Sequence, residues 1–389
     1  MNVLANKDAW LYPPNVPQIV RGTNFDMGYQ QGQMNSWRIQ NWLPLIFSDD
    51  QLGYFKLLEW PMRLARPIMR RTLSTYWIPY LQRYLPEILE RMEGIAEGSG
   101  CPLGEILYQQ SVEILGAYPL HTGGCASMIV SSQFFEDNEP VIAKNFDYMP
   151  FLRKLQIVRK SYPDRGYASI EVTAMPLTGS HAGLNECGLL IIYHYAYSID
   201  KHQHGLPLTL FVQHLLQNCS TVEEAYEEIG RVPWMPSGIF LLGDAHNRFA
   251  KAELSHSHLV KREITDTWSV TTNHLMEPEM KKYALPPQAR FPRFLPSPWK
   301  GTRIRESSEM RFDDLNSFLQ KRQKISLHDI QEILRDHGSS GIGSNNTVCR
   351  HSKISSTISS SIFFPSSLRM LFCNKPPCSG TFQTIQLKS

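Results

Sequence analysis

The sequence predicts an α+β fold, with a mostly helical segment over residues 1–124 and a layered block of strands and helices over 125–389. Apolar residues recur at helical spacing through the first third of the chain. From Cys125 onward the pattern changes to short β-prone runs bounded by turn signals, with helical stripes between them. The 389 residues, 42% of them hydrophobic and 19% charged, suffice for one large core or two ordinary ones.

Taken in order, residues 18–37 read as a strand and then a helix. Gly28 and Gly32 share one face of that helix, and glycine there weakens it, so close packing is expected. Residues 36–84, rich in Trp, Tyr, Leu and Arg, read as helical. Pro86 opens a helix whose apolar face is Ile88, Leu89, Met92, Ile95 and Ala96, and which ends at Gly98-Ser99-Gly100. Another helix follows over 103–115. Strands are expected over 127–131, 140–144, 155–159, 168–173, 189–194, 238–242, 251–253 and 267–271. Leu208, Phe211, Val212 and Leu215 form a helical stripe, and Ser220-Thr221-Val222-Glu223-Glu224 caps a further helix. Residues 285–305 read as an exposed connection and 313–321 as a helix. Ser326 caps the next one, with Ile330, Ile333 and Leu334 as its buried face. A loop at 338–346 precedes strands near 357–363, 368–373 and 381–387.

A net charge of +3 without a basic block gives no nucleic-acid footprint. No run approaches the ~18 apolar residues of a membrane span. The start, Met1-Asn2-Val3-Leu4-Ala5, lacks the charged-then-apolar plan of a signal peptide. Seven scattered cysteines, an odd number, argue against a disulfide framework, and a cytoplasmic location is expected. Cys373 and Cys378 with His351 match no standard zinc spacing, so neither metal nor cofactor is expected.

The stretch that points to chemistry is His121-Thr122-Gly123-Gly124-Cys125, followed by the apolar run Ala126 to Val130. The glycines leave the Gly124 carbonyl open to the adjacent thiol. Attack by Cys125 would convert the peptide bond to a thioester, and hydrolysis would leave a chain that starts at Cys125. Thiol and new α-amine would then serve as nucleophile and base. The bland reading is a packed strand-start cysteine. Three downstream stretches favour the first. Val141 to Tyr148 is a strand ending Lys144-Asn145-Phe146-Asp147-Tyr148, where Asp147 could orient the amine and Lys144 favour the thiolate, or both could belong to a polar turn. Gly183-Leu184-Asn185-Glu186-Cys187-Gly188 is either a turn between strands or the source of an oxyanion donor, Asn185. Trp268 to His274 runs into Asn273, which could fix the amine or the substrate carbonyl.

This ordered set resembles the N-terminal-nucleophile hydrolases of the choloylglycine hydrolase and penicillin acyltransferase type, and above all the acyl-CoA:6-aminopenicillanic acid acyltransferase family, the C45 peptidases. The early Gly22, Met27-Gly28 and Gly32 pattern, the helix ending Met92 to Gly98, and Val348-Cys349-Arg350-His351 fit the same family. The resemblance implies a four-layer αββα sandwich, with residues 1–124 as propeptide or α-chain, cut at Gly124–Cys125 and staying associated with the rest. Cys125 would be the released nucleophile, and Asp147 would contact its amine. Asn185 and Asn273 would stabilise the oxyanion and position substrate, Arg350 would lie near the site, and Lys144 and Tyr148 would touch substrate. The substrate would be a small molecule, a linear non-peptide or isopeptide-like amide or an acyl-thioester. Bile-salt relatives carry arginine where this chain has Lys144, which keeps the charge but loses the planar fork, so bile salts are not expected. The competing reading is a non-enzymatic or unprocessed binding protein that keeps the fold.

Overall fold

The computed structural model describes residues 16–47, 53–115, 123–200, 205–232, 237–293, 299–353 and 355–388. His121 and Thr122 of the glycine–cysteine stretch, and part of the 285–305 connection, lie outside the described residues.

Two sheets form the centre. One has eight strands in the spatial order β1 (Gln18–Gly22), β4 (Gln156–Pro163), β5 (Ser169–Ala174), β6 (Ala182–Asn185), β7 (Leu190–Tyr195), β8 (Gly238–Gly243), β9 (Phe249–Leu254) and β10 (Leu259–Ile264). The other has six: β11 (Trp268–Thr271), β2 (Gly124–Val130), β3 (Val141–Tyr148), β12 (Ser356–Phe364), β13 (Arg369–Cys373) and β14 (Gln383–Gln386). Neighbouring strands are antiparallel except β1, which lies parallel to β4.

The two-residue period of a strand decides which side chain enters which layer. Along β2, Ile129 points between the sheets while Met128 and Val130 point outward, and along β3 Ile142 points inward and Ala143 outward. Ile129, Ile142, Phe363 and Phe372 meet Val158, Ile170, Ile192 and Leu241 of the opposite sheet in a dry central layer. The outer face of the six-stranded sheet is covered by α9 (Glu306–Gln320) and α10 (Leu327–Leu334) through Leu315, Leu319, Ile330 and Leu334. The outer face of the eight-stranded sheet is covered by α5 (Pro86–Ser99), α6 (Leu103–Leu115) and α7 (Leu208–Asn218). The result is the four-layer αββα sandwich.

The segment before Cys125 is woven into this sandwich. Its β1 forms one edge of the eight-stranded sheet, and α1 (Asn24–Met34) packs on α5 at backbone contact. A Cβ added at Gly28 would lie 2.1 Å from the Arg91 carbonyl oxygen, and one at Gly98 2.1 Å from that of Tyr29. The shared glycine face at Gly28 and Gly32 is thus a helix crossing with no room for a methyl group. Gln31 of α1 donates to the Met175 and Leu177 carbonyls at 2.9 Å and accepts from buried Arg159 at 2.8 Å, which also pairs with Glu171.

Two strands escape the sequence pattern. β10 is a charged edge, Leu-Val-Lys-Arg-Glu-Ile, half exposed, and carries the polar residues by which edge strands avoid pairing with other chains. β6 occupies the stretch read as a turn. Gly183 lies in it because the Leu216 side chain of α7 would meet a Cβ there at 2.4 Å. The actual turn comes later, at Gly188, whose φ of 83° suits glycine.

Candidate active site

Cys125 is the second residue of β2. By the same alternation as Ile129, its side chain points into the space between the sheets, opposite Phe146 of β3. Its backbone is held at both ends. The amide N–H donates to Asn273 Oδ1 at 2.9 Å, and the carbonyl accepts from Arg311 Nη1 at 2.8 Å. Arg311 also donates to Asp147 Oδ2 at 3.0 Å and, through Nη2, to Asn273 Oδ1 at 2.9 Å. One buried guanidinium therefore joins the three residues that the sequence motifs single out separately.

Each position has a local cause. Asn273 follows β11, whose pairing with β2 puts its end beside the start of β2. Its backbone N–H donates to Ser308 Oγ at 2.7 Å, which ties that end to α9. Asp147 lies opposite Gly124 in the β2–β3 ladder, its Oδ1 accepting from Thr357 Oγ1 of β12 at 2.7 Å. Gly124 lies in close approach to three side chains. A Cβ there would lie 3.0 Å from Arg350 Nη1 and 3.1 Å from both Arg311 Nη2 and Asn273 Oδ1.

Lys144 is buried, shares the inward face of β3 with Phe146, and donates to the Tyr193 carbonyl at 2.8 Å and that of His181 at 3.2 Å. Burial pushes the Cys125 thiol above its ordinary pKa. Lys144 and Arg311 oppose that rise and the Asp147 carboxylate adds to it. Lys144 thus acts in the direction expected of it, favouring the thiolate, while burial in the intact chain acts against it. Arg350 is buried too, its pKa pushed down to about 10 by burial and by Arg311, so it stays charged. It donates to the Asn345 side chain and carbonyl at 2.6 to 3.1 Å.

Two clefts flank the Gly123–Cys125 stretch. One encloses about 890 Å³ of atom-free space, part of it open to solvent, and reaches Cys125 past Phe146, Tyr148, Leu155 and Tyr193. Trp42 and Gln109, from the segment before the candidate junction, complete its wall. The other, about 870 Å³ by the same measure, is of mixed character, with Tyr197, Arg303, Arg311, Asn345 and Arg350 beside Phe291 and Trp299.

Of the sequence-predicted residues, the structure gathers Gly124, Cys125, Lys144, Asp147, Tyr148, Asn273 and Arg350 around one point, with one correction. Asn185 is elsewhere. Both hydrogens of its side-chain amide are donated to the C-terminal end of α7, to Leu216 O at 3.0 Å and Cys219 O at 2.7 Å, while its oxygen accepts from the N–H groups of Cys187 and Leu189. It organises the turn after β6 and has no donor left for an oxyanion. Asp147 makes no hydrogen bond to the Cys125 nitrogen among the described residues. It acts on Cys125 through Arg311, while Asn273 is the residue at that nitrogen. The sequence reading missed Arg311. Its signal was spacing, since Arg311 lies four residues before Leu315 and eight before Leu319, on the buried stripe of α9.

Among the described residues no helix is long and apolar enough to cross a membrane. Comparison with solved structures finds a variant of the conjugated bile acid hydrolase from Clostridium perfringens, with 15% identity, a TM-score of 0.44 and coverage of 68% of this chain and 92% of that one. Penicillin V acylase from Agrobacterium tumefaciens follows at 14% identity and a TM-score of 0.42, covering 68% and 87%. A Caenorhabditis elegans orthologue of N-acylethanolamine-hydrolyzing acid amidase gives 13% identity and 0.40, covering 62% and 93%. An uncharacterized protein of Archaeoglobus fulgidus is 20% identical over 258 residues, 59% of this chain, which spans only 41% of that protein's length. The model of the acyl-coenzyme A:6-aminopenicillanic acid acyl-transferase family matches residues 134–377, beginning beyond Cys125 and taking in Asp147, Asn273, Arg311 and Arg350. A match over more than half of the chain, on a four-layer sandwich, places this protein in that family of N-terminal-nucleophile hydrolases and acyltransferases.

Proposed function

We propose that the protein is a self-processing N-terminal-cysteine amidohydrolase or acyltransferase, divided into residues 1–124 and 125–389 by cleavage at Gly124–Cys125. The observation that carries this reading is the double anchoring of Cys125, amide to Asn273 and carbonyl to Arg311, at the floor of an apolar cleft. In processing, Cys125 Sγ attacks the Gly124 carbonyl carbon. The C–S bond forms, the C–N bond breaks, and the thiol proton passes to the departing nitrogen. Water then hydrolyses the thioester, releasing the Gly124 carboxylate and restoring the thiol.

The α-amine so formed stays where the amide was, against Asn273 Oδ1. It can take the thiol proton when Sγ attacks a substrate and return it to the leaving amine. Asn273 donates one amide hydrogen to the Tyr195 carbonyl at 2.9 Å, and its other hydrogen is the donor we assign to the oxyanion. The apolar cleft takes the acyl group of a linear amide or thioester. The arginine-lined cleft beyond Gly123 takes the polar amine, and Tyr148 lines the apolar cleft on the acyl side. Water completes hydrolysis, and a second amine completes acyl transfer.

The test is intact mass and N-terminal sequencing of purified protein, followed by incubation with N-acyl amines and thioesters of graded chain length. Fragments meeting at Gly124–Cys125, and an acyl adduct on Cys125, are expected. A folded, uncleaved chain that binds acyl compounds without forming an adduct would replace this reading with the binding-protein one.

A further inference from the structure

Four metal-ligating side chains outside the active site converge at the far side of Arg350. His337 follows α10, Cys349 and His351 flank Arg350, and Cys378 lies in the turn between β13 and β14. Their donor atoms all lie within 4.8 Å of one another. Cys349 Sγ is 3.4 Å and Cys378 Sγ 3.3 Å from the same atom, His351 Nε2. The rings of His337 and His351 meet edge to face at 4.9 Å, and His337 Nε2 is buried with no hydrogen-bond partner among the described residues. A buried imidazole nitrogen without a partner is costly. Cys373, whose spacing with Cys378 and His351 matches no standard zinc site, stays outside the cluster, its thiol turned to the Lys375 carbonyl.

We propose that His337, Cys349, His351 and Cys378 bind a structural zinc ion. Two thiolates and two imidazoles are a standard tetrahedral zinc set. With metal–sulfur bonds of about 2.3 Å and metal–nitrogen bonds of about 2.0 Å, the sulfur–nitrogen edge of that tetrahedron is about 3.5 Å. The two measured sulfur–nitrogen distances already match it. All four positions come from protein, so the ion has no open site for substrate, and its role is structural. On binding, the two thiols release their protons to solvent and the two negative charges balance the dication. The ion ties together the end of α10, the Cys349–His351 stretch and the β13–β14 turn. Cys349 N–H already donates to Asp336 O at 2.9 Å and His351 N–H to Ser344 O at 2.8 Å. Because ligands flank Arg350 on both sides, the clip holds the backbone that presents Arg350 to Gly124.

The test uses the full chain as purified, after exchange into metal-free buffer. Elemental analysis should find one zinc per chain. Cobalt exchanged for zinc should give the thiolate charge-transfer and visible bands of a tetrahedral sulfur–nitrogen site. Site-resolved alkylation should find Cys349 and Cys378 protected until a chelator is added. Cys378→Ser should weaken zinc binding by more than about 10²-fold. Should that variant fail to fold, zinc content, cobalt spectrum and thiol protection of the unaltered protein decide alone. Three results overturn the proposal: metal-free protein that takes up no zinc, zinc content unchanged in a folded Cys378→Ser protein, or a Cys349–Cys378 disulfide in non-reduced peptides.

Discussion

Arg311→Lys keeps the positive charge at the centre of the site and removes its fork. The guanidinium donates at 2.8 Å to the Cys125 carbonyl, at 3.0 Å to Asp147 and at 2.9 Å to Asn273. An ammonium on a flexible stem reaches one of these acceptors well and leaves two. Hydrogen bonds to charged groups contribute about 1.5–3 kcal/mol each, so the gross loss is about 3–6 kcal/mol. The retained charge still neutralises Asp147, which avoids the penalty of stranding a buried carboxylate, about 3–5 kcal/mol. We expect a folded protein destabilised by about 3 kcal/mol. Its nucleophile has lost the carbonyl anchor, and a displacement of about 1 Å there costs about 10²-fold in rate. Cleavage followed by intact mass, and kcat on the processed fraction, should both fall by about that factor. KM for the acyl part should hold, since Arg311 does not line the apolar cleft. A double-mutant cycle with Asp147→Asn separates positioning from general weakening, because directly bonded residues couple by about 0.5–3 kcal/mol. Wild-type cleavage and turnover in a folded Arg311→Lys protein would refute the positioning role.

Two further outcomes follow from the geometry. Gly98→Ala places a methyl carbon 2.1 Å from the Tyr29 carbonyl oxygen, so α1 and α5 must separate, and urea unfolding should register a loss of about 3 kcal/mol, the upper end of overpacking costs; an unchanged midpoint would mean that the crossing is looser than described. His274 is buried, with its pKa pushed down to about 4 by burial and by Arg305, Arg311 and Lys251. The unfolded chain binds this proton near pH ~6.5 and the folded one does not, so stability is full above ~6.5 and falls as pH drops toward ~4, by about 2 kcal/mol between pH ~7 and ~5. In His274→Gln, denaturation at the two pH values should show a gap smaller by that amount, and an undiminished gap would assign the acid sensitivity to another group.

Much of this was legible in the chain because local rules and tertiary structure agree. Ser326 caps α10 as expected, with Asp329 completing a capping box, Gly100 ends α5 in the left-handed conformation, and α6 spans the stretch that its periodicity marks. The strands flanking Cys125 were visible as apolar runs, so the side of β2 on which Cys125 falls follows from Ile129 by counting twos. Asn185 was ambiguous for a physical reason. An asparagine at a strand end can bond its own turn or reach outward, and α7, packed beside β6, supplies the two carbonyls that decide it. Arg311 was hidden because it precedes the helix expected over 313–321, whereas α9 begins at Glu306, and only the approach of α9 to β2 and β11 gives its guanidinium three acceptors. The four-residue metal cluster is likewise a product of tertiary structure, its donors being gathered from three separated stretches.

Trp42 and Gln109 stand in the wall of the cleft that ends at Cys125, although both precede the junction. The wall is rigid. Trp42 Nε1 donates to Glu105 at 2.8 Å, Gln109 donates to the Ile39 carbonyl at 3.0 Å, and Arg66 pairs with Glu105 at 2.8 Å. A recombinant chain begun at Cys125 would therefore lack more than a leader. It would strip α5 and α6 from the outer face of the eight-stranded sheet and leave only α7 of these three covering helices, opening an apolar surface of the kind that drives aggregation. It would also carry a nucleophile opening onto bulk solvent in place of a cleft. If this cleft takes the acyl group as proposed, the early residues are the mould in which it is measured, and an engineer wishing to change chain-length preference would mutate Trp42 before touching anything near the thiol.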